Sequence, residues 1–456
     1  MPSFRPLIFS LLVTVLLSLG IRSLLRRYFP AMSAHPWVAS ALKALPWLCA
    51  AAVVTWTAGN VMGLRGVSLI GASATGLLLM LMLPQLVALP LAAGVRRLLS
   101  GILLPAKSVS SSPAPIITAQ TPEHVPQAPP AEPLRSSSTS SLPEHPMSTN
   151  VSSSSAGSED SEASALLTTS AFSRRQFIRA ATGAVPVAAL TSSLSGVAMA
   201  AQPRAMPFVE MFYPDLPPEL DGLRILHFSD VHLGVFVRVD DIERGLEQAA
   251  PHKPDLIVLT GDIADDLTQL EPALRLVSAS KPRLGAFGAI GNHEYFRGFR
   301  ETRQIYDRTD VPLLLEGGHT LQVGNSRLHL GGVNDPISLR KNSSEFMERT
   351  FDKTFDGAPS DAFHVALSHR PEGFIAASRR NIHLTLSGHT HGGQLGRNGR
   401  SLFEPLAEEK FLWGKYTRNQ SHLYTSAGFG HWLPFRIGCP AEAPIIVLRR
   451  GTGTPV

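Results

Sequence analysis

The first 122 residues contain no aspartate or glutamate, and three long apolar stretches run through them. The first extends from about Leu7 to Leu25 and the second from about Leu45 to Leu64. The third lies within Val67 to Val95, interrupted by Pro84 and Pro90. A helix crosses a bilayer with ~20 predominantly apolar residues, whereas a helix covering a soluble core keeps a polar stripe on its outer face. The pattern predicts three transmembrane helices within a membrane domain of residues 1–104.

The net charge of +5 divides unevenly along the 456 residues. Residues 1–205 hold 14 Lys and Arg against 6 Asp and Glu, whereas 206–456 hold 27 against 30. The basic excess accompanies the apolar runs, where Lys and Arg set membrane topology. It marks no basic face on a folded domain, so nucleic acid is not an expected partner. Two cysteines, Cys49 and Cys439, make no disulfide framework and leave the compartment open.

Residues 105–172 are rich in Ser, Pro and Thr with almost no aromatics, a composition that cannot bury enough apolar surface to offset ordering entropy. They are expected to form a disordered linker. In 173–205, Ser173-Arg174-Arg175-Gln176-Phe177-Ile178 precedes small apolar residues ending in Ala198-Met199-Ala200-Ala201. Two readings stay open: a twin-arginine export signal with an Ala-x-Ala cleavage site, or a fourth, weakly hydrophobic anchor. Either puts the arginines in the cytoplasm and the following domain outside. The positive-inside rule agrees, with Arg22, Arg26, Arg27 and Lys43 inside and Arg65 outside.

From about Pro207 the character is that of an α/β enzyme. Apolar runs of strand length recur at Leu223–Phe228, Leu256–Thr260, Leu284–Ile290, Phe363–Ser368, Ile382–Ser387 and Ile445–Leu448. Amphipathic segments Val239–Ala249 and Leu267–Ser278 alternate with the early ones. His319–Val323 and Arg327–Val333 flank Gly324-Asn325 as a hairpin. Strands separated first by helices and later by hairpins predict a layered αββα sandwich: two mixed sheets flanked by helices, here over residues 206–456.

Five short blocks follow these runs: Asp230-Val231-His232, Gly261-Asp262, Gly291-Asn292-His293-Glu294, His369, and Gly388-His389-Thr390-His391. In extended chain, residues two apart point the same way, so Asp230 and His232 could reach one ion, as could His389 and His391. Asp262 could bridge two cations, one oxygen to each. Asp230, His232, Asp262, Asn292, His369, His389 and His391 form a mixed O and N donor set that suits Mn, Fe or Zn and suits Ca poorly. Two such ions ~3.5–4 Å apart activate a hydroxide for in-line attack at phosphorus, and His293 beside them can protonate the leaving oxygen. Any one block is weak; five in order, each after a strand, are not.

These blocks, with Leu220-Asp221-Gly222-Leu223-Arg224-Ile225, Tyr295 after the third block and Gly392-Gly393-Gln394 after the fifth, resemble the calcineurin-like metallophosphoesterases, and closely their bacterial membrane-anchored branch. The resemblance covers about residues 206–450. It implies one metal on Asp230, His232, Asp262 and His391, a second on Asp262, Asn292, His369 and His389, and His293 as general acid. The ions would be divalent or a mixed-valence pair, with manganese one candidate. The resemblance implies a bacterial cytoplasmic-membrane protein, and the apolar runs with their charge distribution make it multi-pass with its catalytic domain on the periplasmic or extracellular side.

The expected function is a membrane-anchored, dinuclear-metal phosphoesterase cutting a phosphodiester or pyrophosphate bond, with lipid-linked phosphoesters among its candidate substrates. Alternatives are a phosphomonoesterase or cyclic-nucleotide phosphodiesterase and, in another class, a non-catalytic receptor or scaffold reusing the fold. Asp265 and Glu294 are candidates to orient ligands, with a solvated or capping role equally open. Val235-Phe236-Val237 and His431-Trp432-Leu433-Pro434-Phe435 could rim a lipid-binding mouth, though ordinary packing is the preferred reading. His227 and His252 carry no assignment.

Overall fold

The computed structural model describes residues 5–62, 64–103, 173–234, 236–337, 343–407, 411–431 and 433–453. The expected linker, Val235 and Trp432 lie outside the described residues. The chain divides into two compact units, Met1–Gly94 with Thr182–Val456, and Val95–Ala181.

The N-terminal part is helical: α1 (Arg5–Tyr28), the single turn α2 (Pro30–Ser33), α3 (Pro36–Val61) and α4 (Arg65–Leu103). Further along the chain, α5 spans Arg174–Ala200. Among the described residues, four helices are long and apolar enough to cross a membrane: Ile8–Tyr28, Pro36–Gly59, Gly66–Ser100 and Arg174–Ala200. Pro84 and Pro90 do not interrupt α4, which runs through both; apolar helices tolerate proline where local adjustment satisfies the freed carbonyls. Ile21, Leu42, Cys49, Met82 and Leu89 pack together between these helices.

The remainder is the expected layered sandwich. Its strands are β1 (Phe208–Tyr213), β2 (Arg224–Phe228), β3 (Leu256–Thr260), β4 (Ala286–Ala289), β5 (Gly317–Val323), β6 (Ser326–Gly332), β7 (Phe363–Leu367), β8 (Leu384–Ser387), β9 (Gly396–Arg397), β10 (Arg400–Ser401), β11 (Gly414–Arg418), β12 (Ser421–Thr425) and β13 (Ile445–Arg450). One sheet is ordered β1-β13-β2-β3-β4 and the other β11-β12-β8-β7-β6-β5, while β9 and β10 pair as a ribbon. Both large sheets are mixed: β2, β3 and β4 run parallel while β13 is antiparallel to β2. In the second sheet β6, β7, β8 and β12 run parallel, with β5 and β11 antiparallel at the edges.

Alternate residues of the two sheets meet in a central core of Ile225, Val258, Leu328, Val365, Leu386 and Ile446. The outer face of the first sheet is covered by α6 (Val239–Ala249), α7 (Leu270–Ala279) and α8 (Asn292–Tyr306) through Ile242, Leu274 and Ile305. Over the second sheet, α9 (Ser343–Phe355) and α10 (Gly373–Arg379) bury Phe351 and Phe374. Parallel strands covered on both faces read as continuous apolar runs, and the five residues of β3 are all buried.

Candidate metal centre

Every candidate donor lies just past the C-terminal end of a parallel strand, where open α/β sheets place their sites. Asp230 and His232 follow β2, Asp262 follows β3, Asn292 begins α8 after β4, His369 follows β7, and His389 and His391 follow β8. The extended-chain expectation fails in detail. Asp230, His232, Asp262, His389 and His391 all adopt left-handed backbone, with φ of 51°, 52°, 52°, 68° and 50°. Few non-glycine residues do so, and five at one locus mark backbone strain of the kind held at functional sites. The donors therefore converge by tight turns and not by strand pleating.

Close approach is enforced by glycine. A Cβ at Gly388 would strike the Asp230 carboxylate and the Ser229 hydroxyl, and one at Gly291 would strike Asp262. In return, the His389 backbone N–H donates to the Asp230 carboxylate at 2.9 Å and the Ser229 hydroxyl donates to it at 2.6 Å.

Three groups of potential ligand side chains result among the described residues, and two of them consist only of the predicted metal donors. In the first, Asp230, His232 and His391 bring donor atoms within 4.8 Å of one another, with His232 Nε2 3.2 Å from His391 Nε2. In the second, Asp262, His369 and His389 do the same: His389 Nδ1 is 3.2 Å from His369 Nε2, which is 3.2 Å from Asp262 Oδ2. Asp262 Oδ2 also lies 4.0 Å from His232 Nε2, so this one oxygen faces both clusters. Its partner Oδ1 is taken by the His293 backbone N–H at 2.8 Å. Of the two carboxylate oxygens it is therefore Oδ2 that lies open to both clusters.

Several features suit metal ions. His369 donates Nδ1–H to the Thr260 carbonyl (2.8 Å) and His232 donates Nδ1–H to Asp265 (3.2 Å), which turns each Nε2 inward as the metal-facing nitrogen. Asn292 Oδ1 is buried with no hydrogen-bond partner, a rarity that a cation would resolve. Gly291, just before Asn292, packs against Asp262 and His369 of the second cluster.

The electrostatics are polarised. Burial alone would lower the His369 pKa, but Asp262 and Asp230 outweigh it and raise the value to about 10. Burial and the neighbouring His369 charge push His389 down to about 2, and burial takes His391 down to about 3. Against the opposing effect of burial, His369, His293 and His232 hold Asp262 well below the carboxylate range, and His232 and His293 do the same for Asp265. Likewise His293, although half-buried, is raised by Asp265 and Asp262.

Asp265 contacts two imidazoles at once, His232 and, at 2.6 Å, His293 Nδ1; Arg297 closes on it from the exposed side at 3.0 Å. Glu294 touches no imidazole. Its carboxylate accepts from the backbone N–H groups of Asp262, Ile263 and Gly291 at 2.8–2.9 Å, tying the β3 and β4 loops together.

The motif blocks do not contain Arg370, whose guanidinium reaches His389 Nε2 at 2.7 Å. They also omit the fully buried Arg436, which donates to the carbonyls of Ala427, Gly430 and Cys439 and so shapes the loop that packs on Asp230. Leu433, Pro434 and Phe435 are half-buried. Phe435 packs against Gly196 of α5, and the Leu433 carbonyl accepts from Gln394 at 3.1 Å. His227 is buried against Thr260 Oγ1 at 2.7 Å, and His252 packs edge-on to Phe208.

Residues 223–393 match the family model of the calcineurin-like phosphoesterases, a span that includes all seven candidate donors and His293. Over that span the chain is similar to the calcineurin-like phosphoesterases. The chain has relatives in bacteria and animals. It is 29% identical over 269 residues to a transmembrane protein with metallophosphoesterase domain from Danio rerio, covering 56% of this chain and 60% of that protein. It is 27% identical over 287 residues to the uncharacterized metallophosphoesterase YkuE of Bacillus subtilis, covering 61% and 98%. Among solved structures, the calcineurin-like phosphoesterase YfkN of Bacillus subtilis aligns with a TM-score of 0.31 at 16% identity, covering 46% of this chain and 82% of that one.

Proposed function

We propose that the protein is a membrane-anchored, dinuclear metallophosphoesterase, and that it hydrolyses a phosphodiester or pyrophosphate bond. The observation that carries this reading is Asp262 Oδ2, turned toward both donor clusters, with His293 Nε2 3.9 Å away. Asp230, His232, Asp262 and His391 would hold one ion, and Asp262, Asn292, His369 and His389 the other. When bound, such a pair supplies Lewis-acid charge and a nucleophile at neutral pH. The donor set favours Mn, Fe or Zn.

The chain's own part is proton and charge handling. His293 donates from Nε2 to the leaving oxygen, while Asp265 on Nδ1 fixes the ring and stabilises its charged form. Glu294 and Gly291 keep the β3 and β4 loops at the spacing the cluster needs. We further infer a membrane domain over 1–104, a linker over 105–172, a twin-arginine-like signal or anchor over 173–205 and a catalytic domain over 206–456. With that domain on the outer side of a bacterial cytoplasmic membrane, an envelope lipid phosphoester becomes the favoured substrate.

Full-length protein purified in detergent should hold two metal ions per chain and hydrolyse bis(p-nitrophenyl) phosphate faster than p-nitrophenyl phosphate. Absence of both metal and turnover would sink the proposal, and a preference for the monoester would favour a phosphomonoesterase. A reporter fused to the C-terminus reads the membrane side; a cytoplasmic signal would remove the export argument.

A further inference from the structure

Arg370 directly follows His369, and its guanidinium is buried, with a side-chain exposure of 5%. Burying a guanidinium is costly unless its N–H groups meet acceptors in good geometry. Here Nε donates to Asp335 Oδ2 at 2.9 Å and Nη2 to the Ile337 carbonyl at 3.2 Å. The supporting turn is itself constrained. Asp335 Oδ1 accepts from the Ile337 N–H at 2.6 Å, and Ile337, a β-branched residue, sits at φ 64°. Left-handed backbone is a genuine outlier for such a residue. Asn334, just before, accepts from Tyr295 at 2.6 Å, which fastens the turn to the helix that bears His293. The guanidinium is therefore aimed by a scaffold and not merely lodged in one.

Its third contact shows where it is aimed. Nη1 lies 2.7 Å from His389 Nε2, while His389 Nδ1 faces His369 in the second cluster. A neutral imidazole has one N–H and one lone pair. When Nδ1 gives its lone pair to a metal, Nε2 carries the hydrogen, and two donors then face each other across this contact. Nη1 needs another acceptor, and the acceptor brought to such a centre is a phosphoryl oxygen, which the planar guanidinium fork matches.

We propose that Arg370, held by Asp335 and released from His389 when the second metal binds, clamps a phosphoryl oxygen of the substrate. This rests on the dinuclear reading above. It makes Arg370 a substrate-binding residue whose engagement depends on metal loading.

The test uses full-length protein in detergent, inorganic phosphate as the probe, calorimetry for phosphate affinity and elemental analysis for metal content. Manganese-loaded Arg370→Ala should retain two ions per chain yet bind phosphate about 10- to 100-fold more weakly than the parent, the scale of one or two hydrogen bonds to a charged group. Arg370→Lys keeps bulk and charge but loses the fork, and should also weaken phosphate binding with metal content unchanged; it serves if the alanine variant fails to fold. Without metal, parent and variants should bind phosphate equally poorly. Parent-like phosphate affinity in metal-loaded Arg370→Lys and Arg370→Ala overturns the proposal. So does loss of the second ion in these variants, which would make Arg370 a support for His389 alone. A parent protein that takes up no metal fails the dinuclear reading instead, and the two failures are told apart by metal content.

Discussion

The two donor clusters share Asp262 Oδ2 but differ in what surrounds them. The first, Asp230 with His232 and His391, is wholly buried, and burial drives His391 to about pH 3. The second places His369 among Asp262, Asp230 and Asp335, which raise it to about 10, beside His389 at about 2. A metal entering the first cluster meets at His391 an imidazole already free of its proton. A metal entering the second must displace a proton from His369. Chemically similar ligands thus make two sites with different proton demands, because Asp262, Asp230 and Asp335 outweigh burial at His369, whereas burial outweighs Asp230 and Asp262 at His391.

The sharpest break in this comparison is Asp262→Asn. It weakens the one oxygen turned to both clusters, so both ions should be lost and turnover should fall on the order of 10³-fold or more, the several kcal/mol such metals supply. Elemental analysis checks this against His369→Ala, which should lose only the second ion; selective loss in Asp262→Asn would undo the shared-oxygen reading. His293→Ala should lower kcat about 10²- to 10⁴-fold with both metals retained, measured by turnover beside metal content.

The third prediction concerns pH. A raised folded-state pKa means that protonated His369 contributes stability to the metal-free protein below its unfolded value, and that this is lost as pH rises through about 10. Because the same proton competes with metal, occupancy of the second site should climb with pH up to about 10, while occupancy of the first varies less. Metal titrations of the parent and His369→Ala at several pH values would read the difference, and parallel pH dependences would refute it. The smallest expected effect is on stability. Glu294→Gln replaces one of the two oxygens that together accept from three backbone donors and should cost about 1–3 kcal/mol, seen in denaturant unfolding of the metal-free protein.

How much was legible in the sequence depends on how local the cause was. Leu256–Thr260 reads as a strand from four apolar residues in a row closed by a threonine and forms β3 with the same ends. The edge strand β1 alternates exposed and buried residues over only six positions and gave no comparable signal. Strand β12, Ser421–Thr425, is buried although polar residues occupy three of its five positions. The ligand types are legible because coordination demands His, Asp and Asn. Their left-handed geometry is not, because it comes from turns closed by contacts such as His389 with Asp230, 159 residues apart. Arg370 and Arg436 escape for the same reason: an arginine reads as a surface residue until the fold brings carbonyls or a carboxylate around it.

The left-handed backbone at five of the seven candidate ligands sets folding against function. Glycine adopts that conformation without steric penalty, whereas Asp and His do not. A drift toward glycine at His389 or His391 would therefore relax the chain while removing a donor, so selection for stability alone would erode this centre. Only a continuing need for the chemistry keeps histidine where the backbone favours glycine.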